Sequence, residues 1–252
     1  MKKKYVLLSI LMVALVAMVM VAATGIDGPR VDREKAKDMV REYINDSEAE
    51  VVYKKSESLN HGDYLVMEVE NDWFYVNSDT GIIERVTFND ARQNSSKVLL
   101  SEREAMKRAE GFVKQKYGIG DMELVRSDLL DHGNVKKYLF IWAEKISGVE
   151  TNRMAVSVNP NTGQIISFMG MFREAKVQLQ PEISREKAIE IANNQFNVQN
   201  PQTKARLSIE YPEKDVQKLV WVIETESEES LNGGMAVIDA VSGEILMASP
   251  YK

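Results

Sequence analysis

The chain has 252 residues, 44% of them hydrophobic and 28% charged, with 14 glycines, 6 prolines, two histidines and no cysteine. That balance excludes collagen-like, disordered and disulfide-scaffold classes. Without cysteine there is no disulfide, zinc ribbon, iron–sulfur cluster or thiol nucleophile.

At the amino terminus, Lys2, Lys3 and Lys4 precede an uncharged apolar run from Tyr5 to Ala23, closed by Asp27 and Arg30. Basic residues before an apolar core mark an export signal. The run of 19 residues exceeds the apolar core of a cleavable signal and almost matches the roughly 20 residues that span a bilayer. Residues 1–26 are therefore expected to form an N-terminal apolar helix, a signal peptide or a signal anchor. Val21-Ala22-Ala23 leaves cleavage open. The net charge of −6 becomes −9 once the three lysines are set aside. An acidic body argues against nucleic acid, whose phosphates require a basic face.

Three later segments open alike: Val31-Asp32-Arg33-Glu34-Lys35-Ala36, Leu100-Ser101-Glu102-Arg103-Glu104-Ala105 and Ile183-Ser184-Arg185-Glu186-Lys187-Ala188. Behind each, small or aliphatic residues recur at helical spacing: Ala36, Val40, Ile44; Ala105, Ala109, Val113; Ala188, Ala192, Phe196. Asp32, Ser101 and Ser184 suit N-caps, and Ser101 with Glu104 makes a capping box. Each helix leads into four strand-like runs, the last two flanking a turn: Asp79-Thr80-Gly81, Asn161-Thr162-Gly163 or Val241-Ser242-Gly243. Gly81, Gly163 and Gly243 supply the positive-φ position of a tight turn. The sequence thus divides into units at 27–98, 99–180 and 181–252. An α+β fold is expected: three tandem units, each a helix packed on a small antiparallel sheet.

The third unit, with Ile183-Ser184-Arg185-Glu186-Lys187-Ala188, the strand Leu219-Val220-Trp221-Val222-Ile223 and the closing Val237-Ile238-Asp239-Ala240-Val241-Ser242-Gly243-Glu244-Ile245, resembles the PepSY family. That family is named for peptidase propeptides and YPEB-type spore proteins. The likeness is good in the second unit and weaker, divergent, in the first. It implies a module without catalytic residues that restrains a peptidase, assists its folding, or holds a cell-wall hydrolase inactive or stable. No H-E-x-x-H helix occurs in the sequence, so the regulated enzyme is expected to be a separate chain.

The remaining motifs read as structure. Asp79-Thr80-Gly81 spells the tripeptide of aspartic peptidases, but the equivalent turns lack the second acid that chemistry needs. Asn77 and Asp79 fail the calcium-loop pattern, with Ile82 and Phe88 where glycine and glutamate belong. His61 and His132 precede the second strands of their units and read as solvated turn residues. Asn45 and Asn94 are glycosylation acceptors by pattern. Trp73-Phe74-Tyr75 cannot all face inward on an alternating strand, so at least one member is expected to be exposed as an interface anchor. Glu226 and Glu228 sit in an acidic hairpin tip that suits a basic partner.

The expected function is a non-enzymatic, extracytoplasmic binding module, anchored through residues 5–23 or secreted after cleavage. Its partner would be an exported peptidase or cell-wall hydrolase. Trp73, Phe74, Tyr75, Glu226 and Glu228 are the partner-binding candidates, and no catalytic residue, cofactor or metal is expected. The competing reading is a structural or sensory envelope protein with no enzyme partner.

Overall fold

A computed structural model describes residues 30–92, 95–118, 120–132, 135–198, 201–227 and 233–251. The apolar segment 5–23, Asn94 and Glu228 lie outside the described residues. No described helix is long and apolar enough to cross a membrane.

Among the described residues three α-helices form: α1 (Arg33–Ile44), α2 (Glu102–Lys116) and α3 (Arg185–Phe196). Asp32, Ser101 and Ser184 cap them, accepting from the amides of Lys35, Glu104 and Lys187. Their buried stripes are mostly small: Ala36 and Val40, then Ala105, Ala109 and Val113, then Ala188 and Ala192. Short side chains let each helix backbone approach the sheet closely while the strands supply the bulk. Under α1 that bulk is Leu65, Met67 and Phe74, under α2 it is Phe140, Trp142 and Phe168, and under α3 it is Trp221, Ile223 and Ile238.

Twelve strands follow in three antiparallel meanders. The first is β1 (Val52–Leu59), β2 (Gly62–Val69), β3 (Asp72–Asn77) and β4 (Ile83–Thr87). The second is β5 (Glu123–His132), β6 (Val135–Ile146), β7 (Val149–Val158) and β8 (Ile165–Met171). The third is β9 (Pro201–Glu213), β10 (Val216–Ser227), β11 (Gly233–Asp239) and β12 (Ile245–Pro250).

The expected fold, three small sheets each under its own helix, is overturned here. All twelve strands belong to one mixed sheet. Strand β4 pairs with β8 through Arg85↔Met169, Val86↔Phe168 and Thr87↔Ser167. Strand β7 runs parallel to β9 at Val149↔Leu207 and Glu150↔Ser208. The physical reason is that unpaired strand backbone seeks partners: β4 and β8, the edges of their meanders, zip together, and β9 pairs with the start of β7, which runs past its last pair with β8, Arg153↔Met171. Val86 and Phe168, partners across the first seam, lie in the cores of α1 and α2. Val149 and Leu207, partners across the second, pack under α3. The described helices therefore share one face, and none of them lies on the other.

The closing turn of each meander is built identically. Asn77 Oδ1 accepts from the amides of Asp79 and Thr80, Asn159 Oδ1 from Asn161 and Thr162, and Asp239 Oδ1 from Val241 and Ser242. Gly81, Gly163 and Gly243 follow at φ +75°, +76° and +79°. In each turn the backbone also grips the start of its helix. Val31 donates to the Ser78 carbonyl, Leu100 to Pro160, and Ile183 to Ala240. A Cβ at Gly163 would lie 3.0 Å from Leu100 Cδ2. Strain from positive φ and this contact together predict that Gly163→Val lowers stability by about 2 kcal/mol, read as a lower melting temperature. Asp79→Asn should leave it nearly unchanged, because Asp79 is exposed and its ion pair with Arg30 lies at the surface.

Candidate functional site

The helix-free face is ordered by the strand register. One cross-strand row reads Lys55, Val66, Tyr75, Arg85, Met169, Ala155, Ile141 and Arg126 across β1, β2, β3, β4, β8, β7, β6 and β5. The next row holds Glu68, Trp73, Thr87, Ser167, Ser157, Leu139 and Asp128. Both rows cross the β4–β8 seam without interruption, so one surface spans two meanders. Most of the charge on it is internally matched: Lys54 with Glu68, Lys55 with Glu57, Arg126 with Asp128.

At one end of this face the meanders are pinned together by polar groups. Glu84, 2% exposed, sits on β4 where the register with β3 slips by a bulge. Arg173, just beyond β8, folds over it and forms a two-pronged pair through Nη1 and Nη2. Tyr64 donates to the same carboxylate at 2.5 Å, and Arg173 also donates to the His61 carbonyl at 2.9 Å. Burial works against the guanidinium charge, but Glu84 outweighs it and holds Arg173 above its ordinary pKa. Burial and the neighbouring Glu84 push the Tyr64 phenol up. A second pin lies at the β7–β9 seam, where buried Glu150 accepts from Arg153 at 2.8 Å and Arg206 at 3.0 Å.

The β1–β2 tip also meets the β9–β10 hairpin. Asn60 donates to the Tyr211 and Pro212 carbonyls, Asp215 donates back to Asn60, and Lys214 pairs with Asp63 at 2.6 Å. A shallow pocket of about 390 Å³ lies beside this contact, lined by Asn60, His61, Met171, Glu210 and Tyr211 among others. The His61 ring rests between Tyr64 and Tyr211. It is half-buried, not the solvated turn residue expected, because the third meander closes over the tip. Burial lowers its pKa. The unfolded chain then binds a proton more readily than the native state as pH falls through about 6.5. Stability present above that pH should fall below it, and His61→Gln should flatten this part of the profile in urea titrations between pH 7 and 5.

The predicted binding residues are dispersed. Phe74 is buried in the core under α1. Trp73 and Tyr75 point to the helix-free face as alternation requires, but they are half-buried, not exposed. Cross-strand neighbours cover Tyr75, with Tyr64 edge-on to its ring and Arg85 stacked over it at 4.9 Å. Glu226 is exposed near the end of β10, remote in the sheet order from the aromatic strand β3, and Glu228 lies outside the described residues. The structure does not join the aromatic triplet and the acidic tip into one site. Sequence reasoning missed Arg85, Met169, Glu84 and Arg173. Only the turn residues Asn77, Asn159 and Asp239 carried a readable signal, since they repeat in step with the turn glycines.

With this geometry in place, three comparisons bear on the chain. No curated protein matches it. The fold is shared with the Bacillus megaterium YpeB C-terminal domain, which is 17% identical, with a TM-score of 0.53 over 89% of this chain and 100% of that one. A Clostridium difficile 630 protein described as a lipoprotein aligns at 18% identity over 62% of this chain and 99% of its own, with a TM-score of 0.24. Residues 182–246, which hold most of α3 and the third meander, match the family model of the peptidase propeptide and YPEB domain. The likeness to the PepSY family is thus shown over residues 182–246.

Proposed function

We propose that the protein is an exported, non-enzymatic binding module that restrains, stabilises or localises a partner hydrolase, a peptidase or cell-wall hydrolase, at the cell envelope. The observation that carries this reading is the match of residues 182–246 to a domain defined on peptidase propeptides. The fold is compatible with it: the three described helices occupy one face, and the opposite face is open to a partner among the described residues. The lysine-flanked apolar run at 5–23 supports export.

Two measurements test the proposal. Protease added to intact cells or spheroplasts should digest the part after Ala23, and complete protection until lysis would reject export. Capture of the tagged full chain from solubilised membranes should bring down a hydrolase whose activity or lifetime changes when the protein is removed. Repeated capture without any hydrolase would favour a structural or sensory envelope role.

A further inference from the structure

On the two cross-strand rows of the helix-free face, Arg85 is the cation left over. It is exposed, stacked on Tyr75, and forms no ion pair among the described residues. The other charged side chains on the two rows are matched within the face, and Glu84, its neighbour in sequence, is held by Arg173. Directly across the β4–β8 seam from Arg85 lies Met169, 53% exposed. Met171, two residues along the same strand and so on the same face, lines the pocket beside the β1–β2 tip. Trp73 lies in the adjacent row on the same strand as Tyr75. A planar, oriented guanidinium thus sits between an aromatic ring and a flexible thioether, on a floor that leads into a pocket.

This geometry points to a peptide-binding strip that takes an extended segment of a partner protein, with a carboxylate side chain on Arg85 and an apolar side chain on Met169 and Met171. Charge complementarity selects the occupant: Arg85 offers paired donors that fit a carboxylate, and the acids of the two rows, Glu68 and Asp128, are already paired with Lys54 and Arg126. Stacking on Tyr75 holds the guanidinium with little rotamer freedom left to lose on binding. Methionine adapts to varied apolar side chains, so the strip would demand an acid next to an aliphatic residue and little more. The inference rests on the binding-module reading and names the chemistry of the partner segment.

The test uses an N-acetylated, C-amidated octapeptide of alternating leucine and serine with one central glutamate, beside versions carrying glutamine or lysine there. Trp142 and Trp221 are buried on the helix side, so a fluorescence change lost in Trp73→Phe reports this strip. The glutamate peptide should bind at least roughly tenfold more tightly than the glutamine and lysine peptides, and Arg85→Gln should abolish that preference. Met169→Ala should weaken all three peptides alike. Arg126→Gln, on the same face, should change nothing, and unaltered melting temperatures would confirm intact folds. Equal binding of the glutamate and glutamine peptides, or a preference that survives Arg85→Gln, would overturn the strip. A captured hydrolase that binds Arg85→Gln and Met169→Ala as tightly as the parent would also overturn it while leaving the binding-module reading intact. Arg85-dependent peptide binding with no hydrolase ever captured would support the strip and count against the hydrolase.

Discussion

Replacing Arg173 with methionine should destabilise the protein by about 3–5 kcal/mol, because it leaves a buried carboxylate without its cation. Glu84 is 2% exposed, and among the described residues Arg173 supplies the only positive charge in contact with it. Methionine keeps much of the aliphatic volume of arginine, so the loss reports the charge and its hydrogen bonds more than packing. The carbonyl of His61 would lose its donor in the same step. On a domain of this size the change corresponds to a fall in melting temperature on the order of 10 °C. Glu84→Gln added to Arg173→Met should recover much of the loss, since an amide can still accept from Tyr64 without a buried charge. Urea denaturation of the single and double variants measures this directly. Equal stability of the two would mean that the pair contributes through shape alone. Because Glu84 belongs to the first meander and Arg173 to the segment leaving the second, hydrogen exchange should also quicken in the β1–β2 hairpin.

The parts of this fold that were legible are those whose signal is local. An alanine and valine stripe at helical spacing behind an N-cap marks α1, α2 and α3 because burial of one face and satisfaction of the first amides both act within a dozen residues. The turn glycines were equally local. The joining of the meanders was not, because the seams at β4–β8 and β7–β9 are made by backbone groups that every residue carries. Val86 and Phe168 have the same side chains whether their strands are edges or neighbours. Strand ends are hard to read from sequence for a related reason. The outer part of β1, with Lys55, Ser56, Glu57 and Ser58, lacks apolar alternation, and its pairing with β2 sustains it. At the candidate site, Glu84 and Arg173 stand 89 residues apart, each reading as an ordinary surface charge. Their meeting follows only from the seam. In the aromatic triplet, alternation turns Phe74 inward and Trp73 and Tyr75 away from it, but exposure was not legible, since what covers Tyr75 comes from neighbouring strands.

Asn159→Ala should cost about 3 kcal/mol or more, because several buried groups lose partners together. The side chain is fully buried. Its Oδ1 receives the amides of Asn161 and Thr162, while Nδ2 donates to the Ala91 carbonyl at 2.7 Å, in the short 3-10 turn Asp90–Arg92 that links the first two units. One residue thus shapes the turn that grips the start of α2 and ties it to the chain before. Asn159→Asp separates the two roles. It keeps the acceptor for the turn amides, loses the donor to Ala91, and buries a carboxylate against a carbonyl oxygen, so it should also be strongly destabilising at neutral pH. The third meander shows what an acid at this position requires: Asp239 is accompanied by Lys218, 2.7 Å away. Burial alone would raise the Asp239 pKa, but Lys218 and the turn amides outweigh it and hold the carboxyl below its ordinary value. A depressed carboxyl contributes stability that is present above about pH 4 and is lost as pH falls through the folded value. Asp239→Asn should therefore be mild at pH 7 and should flatten the acid limb of the stability profile, whereas Asn159→Asp should lower the whole profile near neutrality. If Asn159→Asp proved as stable as the parent at pH 7, the bond to Ala91 would carry no weight and the turn alone would account for the residue.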